Sequence, residues 1–261
     1  MEKFSLLRQK AARQIFNIRQ YEAYQWNNSK PESASFLYDR HGDEYFEMMN
    51  GLTATLDYAG NLSDSNTVLD LGTGTGRGCA DLARQFEKLN FIGTGLYRYP
   101  EIKRFLPGDK FILTSGENLR GIKDKSIAGV IANFSITYSH AQQLIAKRID
   151  EVLVPGGIMK ATFYFSPEKQ PNLISDERAR IALDCTKPKD HEEFKTALLI
   201  MGYDLEVKPV FYVDKINVRR YVLLAIKPGN PSSVGAKEIL AKDLELMPLK
   251  ENTMGWARFL D

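Results

Sequence analysis

The chain has 261 residues, 43% of them hydrophobic, and a formal net charge of +2. That apolar supply suits one globular core with additions, and so small a net charge excludes strong attraction to polyanions. No apolar run approaches the ~20 residues that span a bilayer, and the opening "MEKFSLLRQKAARQ" lacks a signal peptide's apolar stretch.

Membrane insertion is therefore not expected, and a cytoplasmic location is. Cys79 and Cys185 have neither metal-ligand spacing nor a disulfide framework. They read as buried thiols in a reducing compartment, and no metal is expected.

In chain order, Phe4, Leu7, Ala11, Ile15 and Ile18 recur at helical spacing over residues 2–25. Lys3, Arg8, Lys10 and Arg13 fall mostly off that apolar stripe. So short a charge run reads first as a solvated face and second as a nucleic-acid contact. "NNSKPES" breaks the pattern, and a second helix is expected over Tyr45–Leu56.

From Thr67 onward, short apolar runs alternate with helical patterns. Strands are expected at 67–71, 91–94, 111–114, 129–134 and 158–164, with helices in "RGCADLARQFEKL" and "AQQLIAKRIDEVL". Such alternation predicts a parallel sheet covered on both faces. The polar segment at 166–189 is too long for a simple connection and reads as an insertion or lid. "HEEFKTALLIMGY" reads as a helix closed by Gly202. "YDLEVKPVFYV" and "RRYVLLAIKPG" read as two final strands, and the tail holds one more short helix.

The stretch "VLDLGTGTGRG" (68–78) carries the chemistry. A strand ending in Asp70 and turning through Gly72, Gly74 and Gly76 brings backbone N–H groups to the C-terminal edge of the sheet, where ligands bind in such folds. The glycines allow close approach, and the next helix's N-terminus favours a negative group. A dinucleotide site wants G-x-G-x-x-G, but Arg77 holds the third glycine's place. The G-x-x-x-x-G-K-[ST] phosphate loop is absent here as well.

Asp70 to Gly76, then "GENLRGIKDKSIAGVIANFSITY" (116–138) and "DEVLVPGGIMKATFY" (150–164), resemble the class I S-adenosylmethionine-dependent methyltransferases in motif, order and spacing. The closing helix, glycine, two strands and Lys-Pro at 190–228 are similar too, so the resemblance covers roughly 38–228 and is greatest to the small-molecule branch. It implies a Rossmann-like, doubly wound α/β fold. Its seven-stranded sheet would be mostly parallel with the last strand antiparallel, and N-terminal helices and a C-terminal helical tail would be added. The expected division is a helical cover at 1–60, a core at 61–228 and an extension at 229–261.

The resemblance implies S-adenosylmethionine as cofactor, its methionine part held by Asp70, Gly72, Thr73, Gly74 and Gly76. Tyr38 stands where related enzymes bring a residue over the cofactor, and packing in the core is its alternative role. Gly95, Leu96 and Tyr97 follow the second strand, Gly116, Glu117 and Asn118 the third, and Asn133 and Phe134 close the fourth. All eight are candidate cofactor contacts.

The pattern is not kept throughout. Gly95 stands where the family places the acid that accepts hydrogen bonds from both ribose hydroxyls. Ser115 replaces the adenine-contacting acid, and Ile127-Ala128 replaces a Phe-Asp pair before the fourth strand. Losing one bond to a charged acceptor removes roughly 1.5–3 kcal/mol, a ~10–100-fold loss of affinity. Tyr97 and Arg98 are candidates to compensate, their alternatives being core packing and solvation. Arg98 beside a glycine also suits a dinucleotide 2′-phosphate, against which the glycine register argues.

A sulfonium methyl needs an aligned acceptor and exclusion of water, with a base when the acceptor is a hydroxyl. "ANFSITYSH" puts Tyr138 and His140 near the cofactor end of the sheet, as orienting group and candidate base. His140 also reads as a surface or capping residue, His41 is equally ambiguous, and His191 reads as helix surface. No Asn/Asp-Pro-Pro-Tyr/Phe follows strand four, and neither cysteine is placed as a cytosine-methylating nucleophile. A small-molecule acceptor is therefore expected over nucleic acid. Two rivals stand beside it: a non-catalytic methyltransferase-like binding protein that has lost part of the site, and a nucleic-acid or protein methyltransferase guided by the basic N-terminal helix.

Overall fold

A computed structural model describes residues 9, 12, 42–165, 190–213, 218–229 and 236–244. Tyr38, His41, most of the N-terminal helix, Cys185 and the insertion at 166–189 lie outside them. In chain order the described helices are α1 (Gly42–Met48), α2 (Thr53–Gly60), α3 (Arg77–Gln85), α4 (Ile102–Phe105), α5 (Gln142–Val152), α6 (Glu192–Ile200) and α7 (Ala236–Leu244). The strands are β1 (Thr67–Leu71), β2 (Asn90–Gly95), β3 (Phe111–Leu113), β4 (Ile127–Asn133), β5 (Leu153–Phe165), β6 (Asp204–Val213) and β7 (Val218–Ile226).

The seven strands form one sheet in the order β3-β2-β1-β4-β5-β7-β6. β1 to β5 run parallel, and β7 lies antiparallel between β5 and β6. The winding direction reverses between β1 and β4, and ligand crevices of doubly wound sheets open at such a reversal. β1 and β4 read as near-continuous apolar runs because both faces are covered. Tyr45, Leu56, Cys79 and Ile102 pack on one face, and Ile145, Ile149, Phe194 and Leu198 on the other.

Four expectations need correction. The helix expected over Tyr45–Leu56 is two helices, broken where Asn50 (φ 56°) and Gly51 (φ 90°) both adopt left-handed backbone. Ile127 and Ala128 do not precede the fourth strand but begin it, each buried. β5 starts at Leu153, so the "VLVPGG" turn is a kink within a longer strand whose register shifts before Gly129 and Ile158 pair. Phe134, expected as the last residue of β4, lies just past it.

Candidate active site

At the end of β1 the glycine loop folds back onto β2. The N–H groups of Gly72 and Thr73 both donate to the Thr94 carbonyl, at 3.0 and 2.8 Å, and Gly76 N–H closes the turn onto Thr73 O at 3.0 Å. Gly72 (φ 82°), Gly74 (φ 58°) and Gly76 (φ 86°) all occupy left-handed backbone, where a side chain is strained. A Cβ on Gly72 would lie 2.5 Å from Ser135 Cβ, so the loop sits directly against the chain leaving β4.

That exit is itself strained. Phe134 is buried with φ 58°, a conformation a bulky residue rarely adopts. It is held there by its neighbours: Phe134 N–H donates to Thr162 Oγ1 at 2.9 Å, and that hydroxyl donates to Asn133 Oδ1 at 2.8 Å. Strain of this kind is retained where surrounding structure over-determines it, commonly at functional sites.

Asp70 is wholly buried in the floor of the loop. Tyr45, from α1, donates to its Oδ2 at 3.1 Å. Burial pushes the carboxyl up to about 6, and Thr73, Tyr45 and Cys79 offset part of that rise. Among the described residues Oδ1 nevertheless accepts no regular hydrogen bond, and Thr73 Oγ1 likewise has no partner. Ser135 Oγ, against Gly72, is a third buried and unpartnered oxygen. Three such atoms around one exposed glycine are costly unless a polar ligand meets them.

The other expected positions gather at the same edge of the sheet. Gly95 ends β2, and a Cβ there would meet Phe111 and the Tyr97 carbonyl at 3.5 Å, ordinary contact distances. Leu96 and Tyr97 are half-buried, and Tyr97 packs edge-on to Tyr99 at 4.9 Å. Arg98 lies over the Phe111 ring, 4.7 Å from its centroid. Past β3, Gly116 packs closely on Ile145, and the exposed Asn118 donates to Ser115 Oγ at 3.1 Å. Glu117 accepts a 2.7 Å hydrogen bond from Ser139, which ties the loop after β3 to the loop after β4. Tyr138 ends a 3₁₀ turn (Ile136–Tyr138), and His140 lies two residues before α5; both are half-buried.

His191 departs from expectation. It does not lie on a helix surface but is buried just before α6, 4.5 Å from the Tyr221 ring and 6.1 Å from Phe163. The aromatic side chains of β5 and β7 draw it in. Burial lowers its pKa, against the opposing charge of Glu192.

Two residues of the site, Tyr45 and Ser135, are not among those the sequence marks. Tyr45 is 25 positions from Asp70, so no local spacing points to it. Ser135 directly follows the expected Asn133 and Phe134 and is within reach of the same reasoning.

Comparison with known proteins points to the same fold. Residues 69–160 match a family model described as a methyltransferase domain. No curated protein matches the sequence. Among solved structures, the Haemonchus contortus phosphoethanolamine N-methyltransferase 2, bound to phosphomonomethylethanolamine and S-adenosylhomocysteine, is similar at 14% identity and TM-score 0.55. That match covers 80% of this chain and 60% of the other, so the chain spans less than two thirds of that protein's length. The plantazolicin methyltransferase BpumL is similar at 11% identity and TM-score 0.50, covering 85% of this chain and 99% of that one. A geranyl diphosphate methyltransferase is similar at 14% identity and TM-score 0.50, covering 67% and 76%. From β1 into β5 the chain thus matches a methyltransferase domain, and its seven-stranded sheet has the Rossmann-like fold of the methyltransferase structures it resembles.

Proposed function

We propose that this chain transfers the methyl group of S-adenosylmethionine to a small-molecule acceptor. The observation that carries the reading is the glycine loop at the β1/β4 reversal, with Asp70, Thr73 and Ser135 presenting buried, unsatisfied oxygens around it. These donors and acceptors fit a ligand with ammonium and carboxylate groups. Asp70 would face the cationic end, and Gly72 and Gly74 would permit close approach.

When bound, the cofactor supplies a methyl activated by a sulfonium sulfur. The chain's own part is to bind, to orient and to exclude water. The Phe134 elbow holds the chain leaving β4 against the glycine loop, and Tyr138 and His140 are proposed to orient the acceptor and take its proton. A non-catalytic remnant is disfavoured, because a buried, under-satisfied carboxylate is costly to keep without a use.

Calorimetric titration with S-adenosylmethionine and S-adenosylhomocysteine tests the reading, with Gly72→Asp as control. Micromolar binding by the unaltered chain, lost in the control, is expected. No binding at millimolar ligand would refute it.

A second expectation follows from Gly95. A Cβ there meets its neighbours only at ordinary contact distance. Gly95→Asp should therefore tighten S-adenosylhomocysteine binding by ~10–100-fold, the worth of a charge-assisted hydrogen bond. Unchanged or weaker binding would mean that the ribose does not lie over Gly95.

A further inference from the structure

Lys160 lies in the apolar run of β5, and its side chain is completely buried. A charge there requires partners, and it finds them outside the matched domain. Its Nζ is 3.5 Å from Asp243 Oδ2 on α7, and donates to the carbonyls of Gly51 at 2.5 Å and Asp243 at 3.1 Å. Asp243 in turn accepts from the N–H groups of Thr55 at 2.8 Å and Ala54 at 3.3 Å, and from the Thr55 hydroxyl. Asn50 Nδ2 closes the set on the Asp243 carbonyl at 3.4 Å.

The arrangement has an electrostatic logic. The lysine meets carbonyls where α1 ends, and the carboxylate meets N–H groups where α2 begins, so each charge faces the helix end that favours it. Between them sits the turn in which Asn50 and Gly51 are both left-handed. The turn continues α1 directly, through Met49 N–H to Tyr45 O at 2.9 Å and Gly51 N–H to Phe46 O at 2.7 Å. α1 then delivers the Tyr45 hydroxyl to Asp70.

We infer that Asp243 is a positioning residue for the cofactor loop: with Lys160 it fixes the α1–α2 turn, and through α1 it holds Tyr45 on Asp70. The inference rests on the cofactor reading above for its effect on binding, but not for its effect on Asp70. Removing Asp243 loosens the turn, and Asp70 loses the well-aligned donor that Tyr45 supplies.

A double-mutant cycle between Asp243→Ala and Tyr45→Phe tests this in the full chain. Two readouts are used: S-adenosylhomocysteine affinity, and the Asp70 carboxyl titration followed by ¹³C NMR in ligand-free protein. The other titratable groups bearing on Asp70 are Tyr45 on α1 and Cys79 on α3, and only Tyr45 is altered. Each single variant should raise the Asp70 midpoint and weaken binding ~10-fold or more, and the double variant should match Tyr45→Phe alone rather than show the product. Independent losses that multiply, or an Asp70 midpoint unmoved by Asp243→Ala, would overturn the inference. If the alanine variant fails to fold by circular dichroism, Asp243→Asn takes its place in the same cycle. Should the unaltered chain not bind S-adenosylhomocysteine, the proposed function fails while the Asp70 titration still decides this inference.

Discussion

Lys160→Met is expected to lower the unfolding free energy by about 3–5 kcal/mol, the usual result of breaking a buried ion pair by removing one partner. Urea denaturation would show a lower midpoint at unchanged slope. The loss comes from the charge left behind more than from the pair itself. Asp243 stays buried among the Ala54 and Thr55 N–H groups without its cation, and the Gly51 carbonyl loses its donor. Burial already pushes the lysine down to about 8, against the pull of Asp243, so its charge is held at a cost even in the intact pair. Lys160→Met combined with Asp243→Asn should recover part of the loss, because no unpaired charge then remains. A single-variant loss below about 1 kcal/mol would place this pair with ordinary surface ion pairs.

Asp70→Asn should act in the opposite direction on stability. The folded carboxyl titrates at about 6 against 3.8 for the free group. That difference of about two pH units corresponds to about 3 kcal/mol at ~1.4 kcal/mol each. Because the folded pKa is raised, the native state holds the proton more tightly than the unfolded chain. Stability contributed by the group is full below pH 4 and is lost as pH rises through 6. The asparagine variant should therefore match the unaltered chain near pH 4 and exceed it by up to about 3 kcal/mol above pH 7. It should also bind S-adenosylhomocysteine less well, the cost and the use of the carboxylate being two sides of one placement. Comparing urea midpoints of the two proteins across this range cancels every other titration. A difference that does not change with pH would show that Asp70 is not desolvated as described.

Local pattern makes much of this legible. β1 is found at its expected limits, because an apolar run ending in Asp and glycine leaves little choice of element. The shared edge of Asp70, Gly95, Glu117 and Asn133 also follows, since parallel strands all present their C-terminal ends to one crevice. The break at Asn50–Gly51 carries a local signal, since Asn and Gly tolerate left-handed backbone, but apolar spacing runs through it and masks it; the carbonyl of Gly51 is met by a lysine 109 positions away. The burial of His191 is hidden for a similar reason, as its neighbours Phe163 and Tyr221 come from two other strands. A signal for Lys160 is present, a lone charge within "GGIMKATFYF", but spacing alone does not name its partner.

By itself, then, the sequence determined the alternation of strands and helices, the glycine loop and the family to which that loop points. These depend on backbone preferences and periodicities a few residues long. Only the tertiary structure decided that Tyr45 of α1 reaches Asp70, that Asp243 of α7 meets Lys160, that Phe134 is held against Thr162, and that three oxygens near Gly72 have no hydrogen bond among the described residues. Those properties depend on which distant groups exclude water from one another, and burial of that kind has no local period.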